Sequence, residues 1–166
     1  MMKVVSWQEI EKKLNEEAKK FLMEAYGMKL EIPVIANGRL KAAHGKFWYN
    51  KREKQSARIE ISKMYIEHQP WEMVYSTLKH ECIHHALFEL NKPFKDGDTY
   101  FENELKKHGS HSTGTVAYKG RVVVYACTND GCDTTYERKR RLNHNGKGYT
   151  SGCCKASLKC LGEKII

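Results

Sequence analysis

His80-Glu81-Cys82-Ile83-His84 lies inside a run of helical character, Trp71 to Leu90, and the reading of that run decides the fold. Pro70 just ahead of it marks a helix start. Val74, Leu78, Cys82, Ile83, Ala86, Leu87, Phe88 and Leu90 fall all round a helix, which is therefore expected to be buried. Residues four apart share one helix face, one turn above the other. Imidazoles at 80 and 84 can thus grip one Zn²⁺ and leave room for a third protein ligand and a water. Glu81, one step round, can take a proton from that water, whose pKa the metal lowers to ~7. From the chain's own His and Glu frequencies the pattern arises by chance in roughly one such sequence in thirty. The buried setting argues against chance, because buried histidines need partners and a metal is the commonest one at this spacing. Cys82, on the other side of the helix, reads as a small core residue.

Composition bounds the rest. A chain of 166 residues suits one sizeable domain plus a small module. Its 29 Lys and Arg against 20 acidic residues, a formal charge of +9, favour a polyanionic partner, nucleic acid first. No apolar run approaches the ~18 residues of a membrane span, so no membrane partner is expected. Met1 to Ser6 lacks the apolar core of a signal peptide, and a cytoplasmic protein is the expectation.

Outward from the central helix the pattern is mixed. Ser6-Trp7-Gln8-Glu9 is a capping box, followed by apolar residues at helical spacing from Trp7 to Ala25 and a stop at Gly27. From Leu30 to Ile66 the pattern turns β-like, with strands expected at Ile32–Ile35, Leu40–Tyr49 and Arg58–Ile61. Beyond the central helix a loop over 91–97 leads to a shorter helix over 99–107, with Asp98 as N-cap and Gly109 as stop. Ser110 to Thr115 reads as a Ser/Thr/Gly-rich linker.

Five of the six cysteines follow that linker. In a reducing compartment such clustering favours metal over disulfides. Arg121 to Tyr125 reads as a strand leading to Cys127, which pairs with Cys132 across a turn containing Asn129-Asp130-Gly131. Tyr136 to Leu142 reads as a second strand carrying Arg138-Lys139-Arg140-Arg141. Cys154, with Cys153 or Cys160, would complete a second zinc site, this one structural and of zinc-ribbon type, in a module too small to fold on core burial alone.

Taken together, these residues resemble the SprT-like metalloproteases, the group that includes the Spartan-type DNA-dependent proteases. The resemblance runs from the leading helix through Arg39-Leu40-Lys41, Gly45, Ile59-Glu60-Ile61-Ser62, the H-E-x-x-H helix, Phe101 and Gly109 to Tyr125-Ala126-Cys127 and Arg138 to Arg141. It implies an α+β zincin-like domain over 1–115 and a DNA-binding zinc ribbon over 116–166. It implies a catalytic zinc on His80 and His84, with Glu81 as general base, and cleavage of peptide bonds in DNA-bound proteins.

The family's third zinc ligand is usually a His in the loop after the active helix, and the matching position here is Asp96. An aspartate can bind zinc through oxygen at about 2.0–2.2 Å, though its charge makes the metal a weaker Lewis acid. Glu104 competes for the role, with Glu102, Asp98 and His108 behind it. His44, His68, His85, His111 and His144 read as surface or packing residues. The ribbon and its Arg138 to Arg141 run would contact phosphates, and Tyr125, Tyr136 and Tyr149 either stack on bases or pack the ribbon. Two rival functions stand beside protease: a nucleic-acid-binding adaptor with a structural or degenerate zincin site, and a zinc hydrolase of a different substrate.

Overall fold

The computed structural model describes residues 5–166, so Met1 to Val4, most of the segment read for a signal peptide, lie outside it. The fold is α+β, as expected, and divides into two compact units, Met1–Ala117 and Tyr118–Ile166. No helix among the described residues is long and apolar enough to cross a membrane.

The first unit opens with α1 (Trp7–Tyr26), whose Ser6 capping box is formed and whose stop is Gly27 in the left-handed region at φ 61. The sheet follows the order β1 (Val34–Asn37), β3 (Gln55–Ser62), β2 (Gly45–Asn50), with β1 parallel and β2 antiparallel to β3. Two expected strands are shifted. Pro33 has no N–H for a ladder, so β1 starts at Val34, and Pro33 contributes only its carbonyl, which accepts from Ile59 N at 3.0 Å. Leu40 to His44 lies outside the sheet, and β2 begins at Gly45. A short helix the pattern did not announce, α2 (Lys63–His68), is capped by Ser62.

The central helix α3 (Trp71–Glu89) and α4 (Thr99–Lys107) complete this unit. Leu14, Ala18 and Leu22 of α1, Ile59 and Ile61 of β3, Val74, Leu78, Ile83 and Leu87 of α3, and Phe101 and Leu105 of α4 form one core. Cys82 is fully buried in it, and burial pushes its thiol pKa far up, as befits a small apolar packing residue. Asp98 precedes α4 but makes no side-chain cap; its Oδ2 accepts from Lys95 N at 2.9 Å instead.

In the second unit β4 (Arg121–Cys127) is flanked antiparallel by β5 (Thr135–Arg138) and β6 (Leu158–Ile165). β5 stops at Arg138, short of the expected Leu142. There the chain turns away, because Leu142 N donates to Tyr125 Oη at 2.9 Å and Arg141 reaches Glu163 at 3.2 Å. A bulge between Val124 and Tyr125 resets the β4–β6 register, with Gly162 opposite at φ 110. Val122, Val123 and Tyr125 are buried, a small apolar centre for a unit of this size.

Candidate metal centre

The pattern of apolar residues all round α3 puts His80, Glu81 and His84 inside the protein rather than on its surface. Helical geometry then stacks the two imidazoles one turn apart, with Nε2 atoms 3.1 Å from each other. The 91–98 loop folds back so that Asp96 Oδ1 lies 3.0 Å from His80 Nε2 and 3.4 Å from His84 Nε2. In a tetrahedral zinc site with bonds of about 2.0–2.1 Å, ligand atoms stand about 3.3–3.4 Å apart. The three donors are therefore spaced as one ion requires.

The outer ring nitrogens settle the tautomers. His80 Nδ1 donates to the His111 carbonyl at 2.8 Å, and His84 Nδ1 donates to the Phe94 carbonyl. A carbonyl only accepts, so both Nδ1 atoms carry hydrogen and both Nε2 lone pairs face the same point as Asp96 Oδ1. Three electron-rich atoms converging in this way call for a cation between them. The electrostatics show the same demand for positive charge, with a proton on an Nε2 atom as the alternative to a metal. Burial disfavours a charged His80, but hydrogen bonding to Asp96 and the charge of Glu81 outweigh it and raise its pKa. Hydrogen bonds from His80 and then His84 hold the Asp96 carboxyl well below the usual carboxylate range.

Phe101, fully buried on α4, lies parallel to the His84 ring at 4.1 Å and edge-on to His80 at 5.2 Å, fixing both ring planes. Glu81 is buried, and burial pushes its carboxyl upward against the pull of His84 and His80. The start of β2 closes over it: a Cβ on Gly45 would stand 2.9 Å from Glu81 Cγ and Oε1. A glycine at 45 thus leaves the carboxylate its room.

The rival third donors are occupied elsewhere. Glu104 Oε2 accepts from Tyr26 Oη at 2.7 Å and sits 3.4 Å from His108 Nε2. Glu102 Oε1 accepts from Gly97 N at 3.1 Å, which steadies the loop bearing Asp96. His44 stacks on Tyr65 at 4.2 Å and His85 is buried near Phe47, as packing residues do.

Three contributors carry no motif. The carbonyls of Phe94 and His111 act through the main chain, which no sequence pattern reveals. Thr113, inside the stretch read as a linker, donates its hydroxyl to Asp96 Oδ1. Its only signal was a hydroxyl in a stretch rich in them.

In the second unit Cys127, Cys132, Cys153 and Cys154 offer thiols all within 4.8 Å of one another. Cys132 and Cys153 Sγ lie 3.7 Å apart, against about 3.8 Å between sulfurs of a tetrahedral site with Zn–S of 2.3 Å. Cys153 and Cys154 both join the set, and Cys160 does not. It sits on β6 opposite Tyr125, its Sγ 3.6 Å from Arg141 Nη1. The buried Ser151 organises the second knuckle, its Oγ accepting from the amides of Cys154 at 3.3 Å and Ala156 at 3.1 Å. Hydrogen bonding by the Tyr136 hydroxyl, then by Ser151, draws the Cys153 thiol down to about 5, towards the thiolate a metal needs. Tyr125 is fully buried and packs this unit, whereas Tyr149 is exposed.

The basic run is exposed but not uniform. Arg138 lies 5.7 Å over the Tyr136 ring and Lys139 4.6 Å over Tyr118. Arg141 is engaged with Glu163 and with Asn145 at 2.7 Å.

The model of the SprT-like family matches residues 7–115, which holds α1 to α4 and the whole His/Asp centre. Curated proteins named "Protein SprT-like" are similar over most of the chain. The Geobacillus kaustophilus protein is 28% identical over 90% of this chain and 97% of its own length. The one from Oceanobacillus iheyensis is 31% identical over 76% of this chain and 80% of its own. A Streptococcus suis protein is 23% identical over 87% and 96% respectively.

Proposed function

Because the chain belongs to the SprT-like family, we propose that it is a zincin-like, zinc-dependent metalloprotease that its C-terminal ribbon directs to DNA-bound proteins. The observation that carries this reading is the convergence of His80 Nε2, His84 Nε2 and Asp96 Oδ1 beside a buried Glu81. Those three residues would hold the catalytic zinc, and Cys127, Cys132, Cys153 and Cys154 a structural one. A zinc ion in the first centre supplies Lewis-acid chemistry, polarising a peptide carbonyl and acidifying water.

The rest falls to the chain's own groups. Glu81 takes the proton of the attacking water on a carboxylate oxygen and returns it to the departing amide nitrogen, the general-base and general-acid steps of peptide hydrolysis. Burial raises this carboxyl above its ordinary value, which makes the carboxylate a stronger base towards that proton. Gly45 keeps the carboxylate unobstructed, and Phe101 holds the ligand rings.

DNA enters through charge. Residues 118–166 carry ten Lys and Arg against four Asp and Glu, most of the chain's positive excess. Arg138, Lys139 and Arg140 would meet phosphates, giving binding that is sequence-independent and weakens with salt.

Zinc content per chain, measured on wild type and His84→Ala beside DNA-stimulated proteolysis, tests the reading. Two zincs in wild type, one in His84→Ala, and no cleavage by a fully metallated Glu81→Gln are the expected results. One zinc in both proteins would overturn it and leave a nucleic-acid-binding adaptor, the reading that a carboxylate in place of the expected third His favours.

A further inference from the structure

We propose that Thr113 is a positioning residue that pins Asp96 as the third donor of the His80/His84 centre; this rests on the metal site proposed above. Asp96 is the weakest-held member of that set. It sits on a loop, its side chain is 50% exposed, and a carboxylate there is free to turn its oxygens into water. His80 and His84, by contrast, are fixed by helix, carbonyl and Phe101.

Thr113 supplies the missing restraint. Its Oγ1–H donates to Asp96 Oδ1, the same oxygen that faces both imidazoles, while Oγ1 itself lies 3.4 Å from His80 Nε2. A β-branched side chain has few χ1 choices, so the hydroxyl is aimed by its backbone.

That backbone is anchored in turn. Ser110 Oγ donates to the Ser76 carbonyl at 2.8 Å, and His111 N donates to Ser76 Oγ at 3.1 Å. The His111 ring closes a 2.6 Å hydrogen bond on the same hydroxyl. Lys79 Nζ donates to the His108 carbonyl at 2.8 Å, holding the start of the segment. Residues 108–113 are therefore a strap clamped along one side of α3. From its anchors at Ser76 and Lys79, the strap presents the His111 carbonyl to one ligand and the Thr113 hydroxyl to another.

The strap also has a chemical effect. A hydrogen bond to a ligating carboxylate withdraws charge from the oxygen, so Asp96 donates less strongly and resembles the neutral ligand whose place it takes.

The test uses the full chain with Thr113→Val, which keeps the shape and removes the hydroxyl, and Thr113→Ser, which restores it. Zinc affinity is read by competition with a graded chelator, and His84→Ala, keeping only the four-cysteine ion, is the blank. The visible bands of the cobalt-loaded first site, with zinc held in the ribbon, report its ligand field. Thr113→Val should weaken the site about tenfold, the low end for an outer-shell partner because the bond lies at the solvent edge, and should shift the cobalt bands. Thr113→Ser should return both towards wild type. Unchanged affinity and bands in Thr113→Val would overturn the role of Thr113 while leaving the metal site standing. A wild type that binds no more metal than His84→Ala would overturn the site and this inference together.

Discussion

The two candidate centres are built on opposite principles. His80 and His84 hang on a helix that belongs to an extensive apolar core, most of it remote from the ligands, and Asp96 on the loop that follows it. The four cysteines hang on the end of β4 and on turns of a unit whose buried apolar side chains are few. The first unit has a core that can fold without an ion, whereas the second buries so little apolar surface that an ion on its four thiolates would supply much of its folding energy.

Removing metal breaks that comparison most sharply. Chelation should strip amide-exchange protection from β4 and β6 while α3 keeps its own, since structural zinc contributes on the order of 10 kcal/mol to such modules. Equal loss in both units, or none in either, would erase the contrast. Next in size is Phe101→Ala, which should cost the first unit about 3–5 kcal/mol by cavity formation and leave the ribbon's melting untouched. It should also lower zinc affinity, because the His84 ring loses its stacking partner at 4.1 Å. Titration of zinc into the folded variant checks that part.

Gly45→Ala sharpens the comparison within the first unit by separating catalysis from metal binding. The new Cβ would meet Glu81 atoms at 2.9 Å, so peptide hydrolysis should fall about a hundredfold with zinc content unchanged. A variant of normal activity would show that Glu81 is free to move.

The smallest effect concerns acid stability. Burial acts to raise the Glu60 pKa, but hydrogen bonds, from Arg58 first, outweigh it and hold the carboxyl below its ordinary value. The folded pKa lies below the unfolded one, so the stabilisation is present above the unfolded pKa. It is lost as pH falls from near 4.5 through the folded value. Glu60→Gln should cost about 1 kcal/mol at neutral pH and flatten that acid-side loss, as urea melts at pH 7 and pH 4 will show.

What could be read from the sequence was whatever side chains encode locally. The capping box at Ser6, the i, i+4 histidines and the all-round apolar face of α3 each follow from one element's own geometry. Strand ends were misplaced where a neighbour decides them. β1 starts late because Pro33 cannot donate, and β5 ends early because Leu142 and Arg141 find partners off the sheet. The ribbon's set of four depends on which turn Ser151 ties together, so spacing alone left Cys153 and Cys160 level. The stretch 110–115 has the composition of a tether, yet its hydroxyls serve as donors, and composition does not distinguish the two.

The orientation of the ligand histidines has a consequence for mutational robustness. Both outer ring nitrogens are held by main-chain carbonyls, at Phe94 and His111, and every amino acid carries that group. Replacing the side chain at 94 leaves the acceptor in place, and at 111 the loss of the ring's bond to Ser76 still leaves the strap its Ser110 hydroxyl and His111 N–H anchors, so the tautomers tolerate sequence drift at both. They are vulnerable to anything that moves the backbone: a deletion in the 91–98 loop, or a proline that bends the strap. The heritable information for this site therefore lies partly in loop length rather than residue identity.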